Sequence, residues 1–282
     1  MYSLNAHALG FFADALYWRV TETVDWVLIN DASIPNQNIT YKTIDFDYDL
    51  GFRVGIDNEN VWYNKLYYTS FYTNASAVAN GNLISTFLGG KLTTTDFFQT
   101  GQINFAINFN IIDWDFGKSF YLNHGIMVRP LLGLRGGWIN QKIINNLQGT
   151  ISLTETLKNN FSGIGPKVGV VNEVVFYANR NYDLSLLADF STSYLWGNWD
   201  ISDVLTNNVP ETINIVVGSR NFGAFTTQAL IGLGLNYKHF SMKLGYEVYD
   251  WFDQYQVLDD GTGAHENDLI LQGLTLCLSY RF

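Results

Sequence analysis

Asn267–Phe282 reads NDLILQGLTLCLSYRF, and its side chains alternate between two kinds along the whole stretch. The large apolar residues share one parity, and they are Ile270, Leu274, Leu276, Leu278, Tyr280 and Phe282. Thr275, Ser279 and Arg281 have the other parity. Successive side chains of a strand point to opposite faces, so one face of this strand can contact lipid while the other faces an interior. The pattern predicts the last strand of a bacterial outer-membrane β-barrel.

The composition agrees with a membrane protein that crosses the bilayer with strands. Hydrophobic residues make up 47% of the chain and aromatic residues 16%, yet no uninterrupted apolar run reaches the roughly 18 residues of a spanning helix. In hydrocarbon the backbone groups of a sheet are satisfied only when the sheet closes on itself. A soluble β-sandwich is the alternative, but its strands are usually only about 5 to 6 residues long.

We therefore predict an all-β fold, a transmembrane antiparallel up-and-down β-barrel of about ten strands with both termini in the periplasm. The alternating segments are 8–22, 43–57, 61–73, 100–116, 120–142, 162–178, 182–197, 222–238, 240–254 and 267–282. Tight periplasmic turns are predicted at 57–60, 117–119, 179–181 and 238–239.

The whole chain, residues 1–282, is predicted to form one outer-membrane barrel domain. Long external loops are predicted at 23–42, 74–99, 143–161, 198–221 and 255–266. Ala77–Leu88 is apolar and Thr212–Gly218 alternates like a further strand, so a count of twelve strands is the alternative.

Charge indicates which parity faces the interior, because lipid penalises a charged side chain at the midplane by about 2 to 4 kcal/mol. Candidate pore-lining residues follow from this rule, and they are Asp45, Asp47, Asp49, Arg53, Arg129, Arg135, Lys167, Glu173, Asp189, Lys243 and Glu247. The two signs nearly cancel, so these residues predict an interior with little net field.

Whether the interior is open depends on how its volume is filled. About eight strands enclose a space that side chains can fill, and ten strands are close to that limit, which favours a plug of ion pairs. Inward glycines favour a water-filled pore, because each leaves volume unoccupied. These glycines are Gly51, Gly55, Gly125, Gly133, Gly137, Gly165, Gly169, Gly232, Gly234, Gly245 and Gly273.

Five segments resemble the pore-forming major outer membrane protein-like family of Legionella and environmental chlamydiae. They are ALYWRVTE (15–22), YDLGFRVGI (48–56), RPLLGLRGGWINQK (129–142), FSGIGPKVG (161–169) and LILQGLTLCLSYRF (269–282). The resemblance implies an abundant outer-membrane pore for small hydrophilic solutes and identifies no substrate. With Cys277 as its single cysteine, the chain departs from the disulfide-linked major outer membrane protein of pathogenic chlamydiae.

The first hypothesis for function is a porin-like channel for passive diffusion of small hydrophilic solutes and ions. The second is a structural or adhesive barrel with a plugged lumen, whose external loops carry the function. An enzyme is not expected: Asp45 and Asp47 near the outer rim resemble half of an omptin-type protease site, but the Asp-x-His spacing is missing around His265. We expect no cofactor and no metal.

The expected partners are outer-membrane lipid, lipopolysaccharide and small solutes or ions. A homo-oligomer stays open, because a lipid-facing surface and a subunit interface are both apolar. A net charge of −10 argues against nucleic acid, which requires a basic face. Residues 1–7, MYSLNAH, have neither the charged nor the apolar region of a secretory signal, so we expect that Met1 stands in its place and that the mature protein lies in the bacterial outer membrane.

Overall fold

The computed structural model describes residues 8–22, 24–33, 36–59, 62–93, 97–123, 125–208, 212–254 and 268–282. These residues form thirteen strands and one short helix. The first strands are β1 (Ala8–Thr21), β2 (Asp25–Ser33), β3 (Asn36–Thr43), β4 (Tyr48–Glu59) and β5 (Tyr63–Ser85), followed by α1 (Leu88–Thr93). The others are β6 (Phe98–Gly117), β7 (Phe120–Asn123), β8 (Ile126–Gly149), β9 (Ser152–Ala178), β10 (Tyr182–Asn207), β11 (Thr212–Tyr237), β12 (Phe240–Trp251) and β13 (Leu269–Arg281).

Ten of the strands close into an antiparallel barrel. The circuit runs β1, β4, β5, β6, β8, β9, β10, β11, β12 and β13, and β13 pairs with β1 again. Asp14 of β1, for example, lies opposite Arg53 on one side and Cys277 on the other. The predicted ten-stranded barrel is confirmed, and it leaves no sheet edge within the circuit.

Three strands lie outside the circuit. β2 and β3 form a hairpin that attaches to the end of β5, where Val27–Ile29 pair with Leu83–Ser85. β7 pairs only with the start of β8, so the predicted strand 120–142 is divided at Gly125, which has a φ of 118°. The connection from β6 to β8 is thus longer than the predicted turn at 117–119. The predicted turns at 179–181 and 238–239 are both found.

An apolar band covers the outer face of the barrel, and one parity of each strand forms it. Aromatic side chains at its borders are exposed, as expected for residues that sit at the membrane interface. They are Tyr17, Trp62, Trp114, Tyr121, Trp138, Tyr194, Trp196, Tyr237, Tyr246 and Tyr280.

Several strands continue far beyond the apolar band. A membrane needs about 9 to 11 residues per tilted strand, whereas β9 has 27. Past the band the outward residues of β8, β9 and β10 become polar, at Asn140, Ser162 and Asn198. We call the described parts of 71–109, 139–163 and 197–222 the outer extension, because the predicted periplasmic position of the short turns would place these parts at the cell exterior.

The outer extension corrects the predicted loops. Residues 143–161 are almost entirely strand, because β8 ends at Gly149 and β9 begins at Ser152. Most of 198–221 belongs to β10 and β11, so the stretch behind the twelve-strand alternative continues β11. The range 23–42 contains the β2–β3 hairpin, and 74–99 contains the end of β5 and α1. The range 255–266 lies outside the described residues.

A hydrophobic core fills the upper interior of the barrel, by which we mean the half on the side of the outer extension. It includes Trp18, Phe109, Phe161, Trp199 and Trp251, each with at most 1% of its surface exposed. In the described part of the chain, no helix is long and apolar enough to cross a membrane.

Candidate functional site

Charged side chains meet in the barrel interior at the level of the apolar band. We call this group the polar layer, and it consists of Asp14, Arg53, Asp113, Asp115, Arg135, Lys167, Gln228 and Glu247. Period-two alternation places all of them inward, because their strand neighbours, such as Phe52, Val54 and Leu134, face lipid.

Arg53 holds one side of the polar layer. Its guanidinium lies 3.1 Å from Asp14 and 2.8 Å from Glu247, and its Nε donates to Thr69 at 2.9 Å. Arg53 and both carboxylates are buried. Thr275 also donates to Glu247, at 2.7 Å. Removed from water, this guanidinium has its charge matched by two carboxylates from different strands.

Arg135 and Lys167 hold the other side. Arg135 donates to Asp113 at 2.7 Å, and Lys167 lies 3.3 Å from Asp113 and 2.9 Å from Asp115. Tyr67 accepts a 2.7 Å hydrogen bond from Lys167. Arg135 is fully buried and reaches hydroxyl groups of β10 and β11 as well.

Gln228 joins the two sides into one network. Its side-chain oxygen accepts from Arg135 at 2.7 Å, and its side-chain nitrogen donates to Glu247 at 2.6 Å. Together with Tyr67, Ser193 and Thr275, which hydrogen-bond to the polar layer, every strand of the circuit contributes a side chain to the network. The contributors in strand order are Asp14, Arg53, Tyr67, Asp113, Arg135, Lys167, Ser193, Gln228, Glu247 and Thr275. The polar layer therefore spans the whole cross-section.

The remaining predicted residues with inward positions lie nearer the periplasmic end. Arg129 is buried, and its guanidinium stacks 3.9 Å from the ring centre of Tyr63. Asp189 and Lys243 are half-buried, and half-buried Glu173 accepts from Asn236 at 3.4 Å. The structure does not bring these four residues into the polar layer.

Asp45 and Asp47 are placed differently from the prediction. Residues 44–47 are not strand, and both aspartates are exposed while Ile44 and Phe46 are buried. Phe46 packs against the inward ring of Phe105 at 5.2 Å. The alternation of this segment is therefore reversed before β4 begins. Asp49, inside β4, does face inward and accepts from Thr73 at 2.5 Å.

Inward glycines do not leave open volume, contrary to the inference from sequence. A methyl group on Gly137 would lie 2.6 Å from Ile111 and 3.0 Å from Trp251. A methyl group on Gly55 would lie 2.6 Å from Tyr67 and 2.7 Å from Phe12. Large side chains of neighbouring strands occupy the space that these glycines provide.

α1 folds into the mouth of the barrel and contacts β9, β10 and β11. The backbone N–H of Gly89 donates to Asp203 at 2.9 Å, and that of Gly90 donates to Glu155 at 2.7 Å. Ser85 also donates to Glu155, at 2.9 Å. Both carboxylates are buried in the outer extension. The end of β5 and the start of α1 are thus held inward at the mouth.

Burial and the neighbouring Asp203 carboxyl raise the pKa of Glu155 from its usual 4.5 to about 8. Burial also raises the pKa of Asp203. Glu22, just beyond β1, has its pKa raised to about 8 by burial as well, although Gln141 donates to it. Glu155 and Glu22 are therefore neutral over much of the range in which the carboxylates of an unfolded chain are charged.

This difference makes stability depend on pH. A carboxyl group whose folded pKa is raised contributes stability below its unfolded pKa, and that stability is lost as the pH rises through the folded pKa. We expect the free energy of unfolding to fall by on the order of a few kcal/mol between pH 4.5 and 8. Urea unfolding in lipid vesicles measures it.

Glu155→Gln provides the control, because its amide oxygen can accept from the Gly90 N–H and its amide nitrogen can donate to the Ser85 hydroxyl oxygen, whereas the amide cannot ionise. Part of the pH dependence should disappear in Glu155→Gln, and Glu22 should retain the rest. Identical slopes for wild type and variant would contradict the assignment.

Sequence reasoning missed several members of the site. Asp113 and Asp115 flank Trp114, which faces lipid, so the parity rule would have found both. Glu155 and Asp203 lie in the predicted loops 143–161 and 198–221, to which the parity rule for lipid-facing strands does not apply.

A family model described as Legionella pneumophila major outer membrane protein precursor matches residues 3–282 of the chain. No curated protein matches the chain.

Two solved structures of outer-membrane proteins align with the chain over nearly its whole length. A major outer membrane protein from Thermus thermophilus has 13% identity and a TM-score of 0.42, covering 99% of this chain and 100% of its own. The outer membrane protease OmpT from Escherichia coli has 7% identity and a TM-score of 0.41, covering 100% and 98%.

Proposed function

Because this chain belongs to the Legionella pneumophila major outer membrane protein family, it is a protein of the bacterial outer membrane, and we propose that it is a channel for small hydrophilic solutes and ions. In this proposal the path passes through the polar layer and through the hydrophobic core above it, and the buried side chains of both must move for solutes to pass. The role is not enzymatic.

The observation that supports the proposal is the polar layer itself. Replacing a buried ion pair by apolar side chains of similar volume is often neutral or stabilising, so charges on this scale are not needed to fill a barrel. Ionisable residues within the membrane that face the interior of a protein typically mark pathways for ions or protons. The occlusion at this level consists of side chains from wall strands, which can change rotamer without moving the sheet.

We expect conduction to require rearrangement of the polar layer, because Arg53, Glu247, Arg135 and Asp113 are each at most 6% exposed. Wild type should therefore show small, brief current steps. With four carboxylates against three cations in the layer, we also expect a weak preference for cations.

The second candidate function is a structural or adhesive barrel with a permanently closed lumen. The hydrophobic core and α1 favour it, since they fill the interior above the polar layer. In that case the exterior would bind a partner and the interior would brace the wall.

A variant that lacks the Arg53–Glu247 ion pair distinguishes the channel from the closed structural barrel. Arg53→Ser with Glu247→Ser keeps the net charge and creates space in the polar layer. We expect the conductance of single channels in planar lipid bilayers to rise at least about twofold, because narrowing at a constriction limits ion flow.

The matched control removes the ion pair at the periplasmic rim, Arg281→Ser with Asp57→Ser, whose atoms are 3.6 Å apart. It should leave the conductance almost unchanged. Silent bilayers for both the wild type and the Arg53/Glu247 variant, with correct folding shown by circular dichroism, would favour the closed structural barrel.

A further inference from the structure

Two lysines lie directly opposite each other on the outer face of the barrel, just beyond the apolar band. Lys142 of β8 is the register partner of Lys158 of β9, and both are exposed. Like charges directly opposite in a sheet are destabilising. The chain has a net charge of −10 and only 16 lysines and arginines. Two of these cations placed opposite each other therefore indicate a binding site for an anionic partner.

Three asparagines lie on the outer face between the lysine pair and the apolar band. One row below, Asn108, Asn140 and Asn160 lie side by side on β6, β8 and β9. Asn108 and Asn140 are exposed and Asn160 is half-buried. Their amides provide donors and acceptors of the kind that bind sugar hydroxyl groups.

An apolar groove of about 440 Å³ lies below the asparagines, in the lipid-facing band. Its lining includes Ile112, Trp114, Leu134, Gly136, Trp138 and Ile164. Gly136 forms an open floor, because a methyl group built there would have only one neighbour within 4 Å, the Gly163 carbonyl oxygen at 4.0 Å. Lys142 is four residues beyond Trp138, about 13 Å along the strand.

We propose that this surface binds one phosphorylated glycolipid of the outer leaflet, with an acyl chain in the groove, sugar hydroxyl groups on the asparagines and a phosphate between Lys142 and Lys158. The groove, the amides and the cations follow one another in the order in which such a lipid presents its acyl chain, sugar and phosphate. A lipid is favoured over free phosphate because the groove and the lysine pair lie on the same outward face of β8 and β9.

The charged groups around the pair are few. Asp200 of β10 is exposed and lies diagonal to Lys158, since Asp200 pairs with Asn160 and Ser202 pairs with Lys158. On β6 the neighbour of Lys142 is Ala106. Glu155 and Asp203 point into the barrel. The two lysines therefore outnumber the acidic groups on this part of the outer face.

The test is native mass spectrometry of the refolded protein in detergent with bisphosphorylated lipid A. Wild type should bind one lipid. Lys142→Gln with Lys158→Gln should weaken binding about tenfold or more, because each cation near an anionic lipid contributes separately. Lys118→Gln, an exposed lysine at the periplasmic turn, is the matched control and should bind like the wild type.

Two further measurements test the ligand. Gly136→Leu fills the groove and should also weaken binding, and dephosphorylated lipid A should bind wild type no better than it binds the double lysine variant. Equal binding of lipid A by all variants, undiminished binding of dephosphorylated lipid, or full displacement by millimolar inorganic phosphate would overturn the proposal.

Folding of the variants is checked in zwitterionic detergent without lipid A. There Lys142→Gln with Lys158→Gln should not lower the melting temperature, because the change relieves a repulsion. A lower melting temperature would show that the lysines stabilise the wall, and it would overturn their role in binding.

Discussion

Arg53→Met is expected to lower the free energy of unfolding by about 3 to 5 kcal/mol, because removing one partner of a buried ion pair leaves an uncompensated charge. Methionine keeps much of the volume of arginine but none of its donors. Asp14 and Glu247 would then share the membrane interior without the guanidinium that lies 3.1 and 2.8 Å from them. Urea unfolding in phospholipid vesicles, followed by tryptophan fluorescence, measures the change.

The matched control for this variant is Arg19→Met. Arg19 is exposed on the outer face of β1, with its guanidinium 5.5 Å from the ring centre of Tyr48, so its loss should cost less than about 1 kcal/mol. Adding Glu247→Gln to Arg53→Met should recover part of the lost stability, since the amide carries no charge. Equal costs at Arg19 and Arg53 would show that the polar layer is not an ion-paired network.

Trp251→Ala is expected to cost about 3 to 5 kcal/mol through the cavity it leaves. Trp251 is fully buried, and its ring lies 5.7 Å from Phe109, 6.0 Å from Phe161 and 5.8 Å from Tyr249. Its tip also occupies the space above Gly137. The same urea titration measures this loss.

Trp196→Ala controls for the loss of an indole. Trp196 is 64% exposed on the outer face, so its removal leaves no interior cavity and should change stability by less than about 1 kcal/mol. If Trp251→Ala were as mild, the upper interior would be loosely packed or hydrated. That result would favour an open path above the polar layer.

The parity rule predicted the inward direction of Arg53, Arg135, Lys167 and Glu247 from sequence, because a strand within lipid has only two faces and charge excludes one of them. The rule holds only along a continuous strand. At 44–47 the strand has not begun, so Ile44 and Phe46 could turn inward and Asp45 and Asp47 outward. The alternation of apolar and polar residues is unchanged across such a break, so the break cannot be detected from the sequence pattern.

Interior volume could not be predicted from the composition of the inner face. Gly55 and Gly137 suggested empty space, yet Tyr67 and Trp251 fill it from other strands. Which large side chain meets which glycine depends on the stagger between strands, and a single sequence does not contain that information. The open or closed state of the lumen was undetermined for the same reason.

The sequence predicts loops in the outer extension because its outward face is polar. Asn140, Ser162 and Asn198 lie beyond the lipid, where alternation between lipid and interior no longer applies. Inward residues such as Leu157 and Leu205 still alternate with polar ones. A search for soluble strands, with a core on one face and water on the other, would have extended β8, β9 and β10.

The pairing of β1 with β13 has a consequence for how the protein is made. Phe282 donates its N–H to Leu9, and Trp18 donates to Thr275 at 3.1 Å across 257 positions of the chain. Until β13 has been synthesised, β1 presents an unpaired edge that other strands can join. Closure of contacts so distant in sequence is also slow. The edge of β1 is therefore covered only when both ends of the chain have met, and the chain must be kept from misassembly until then.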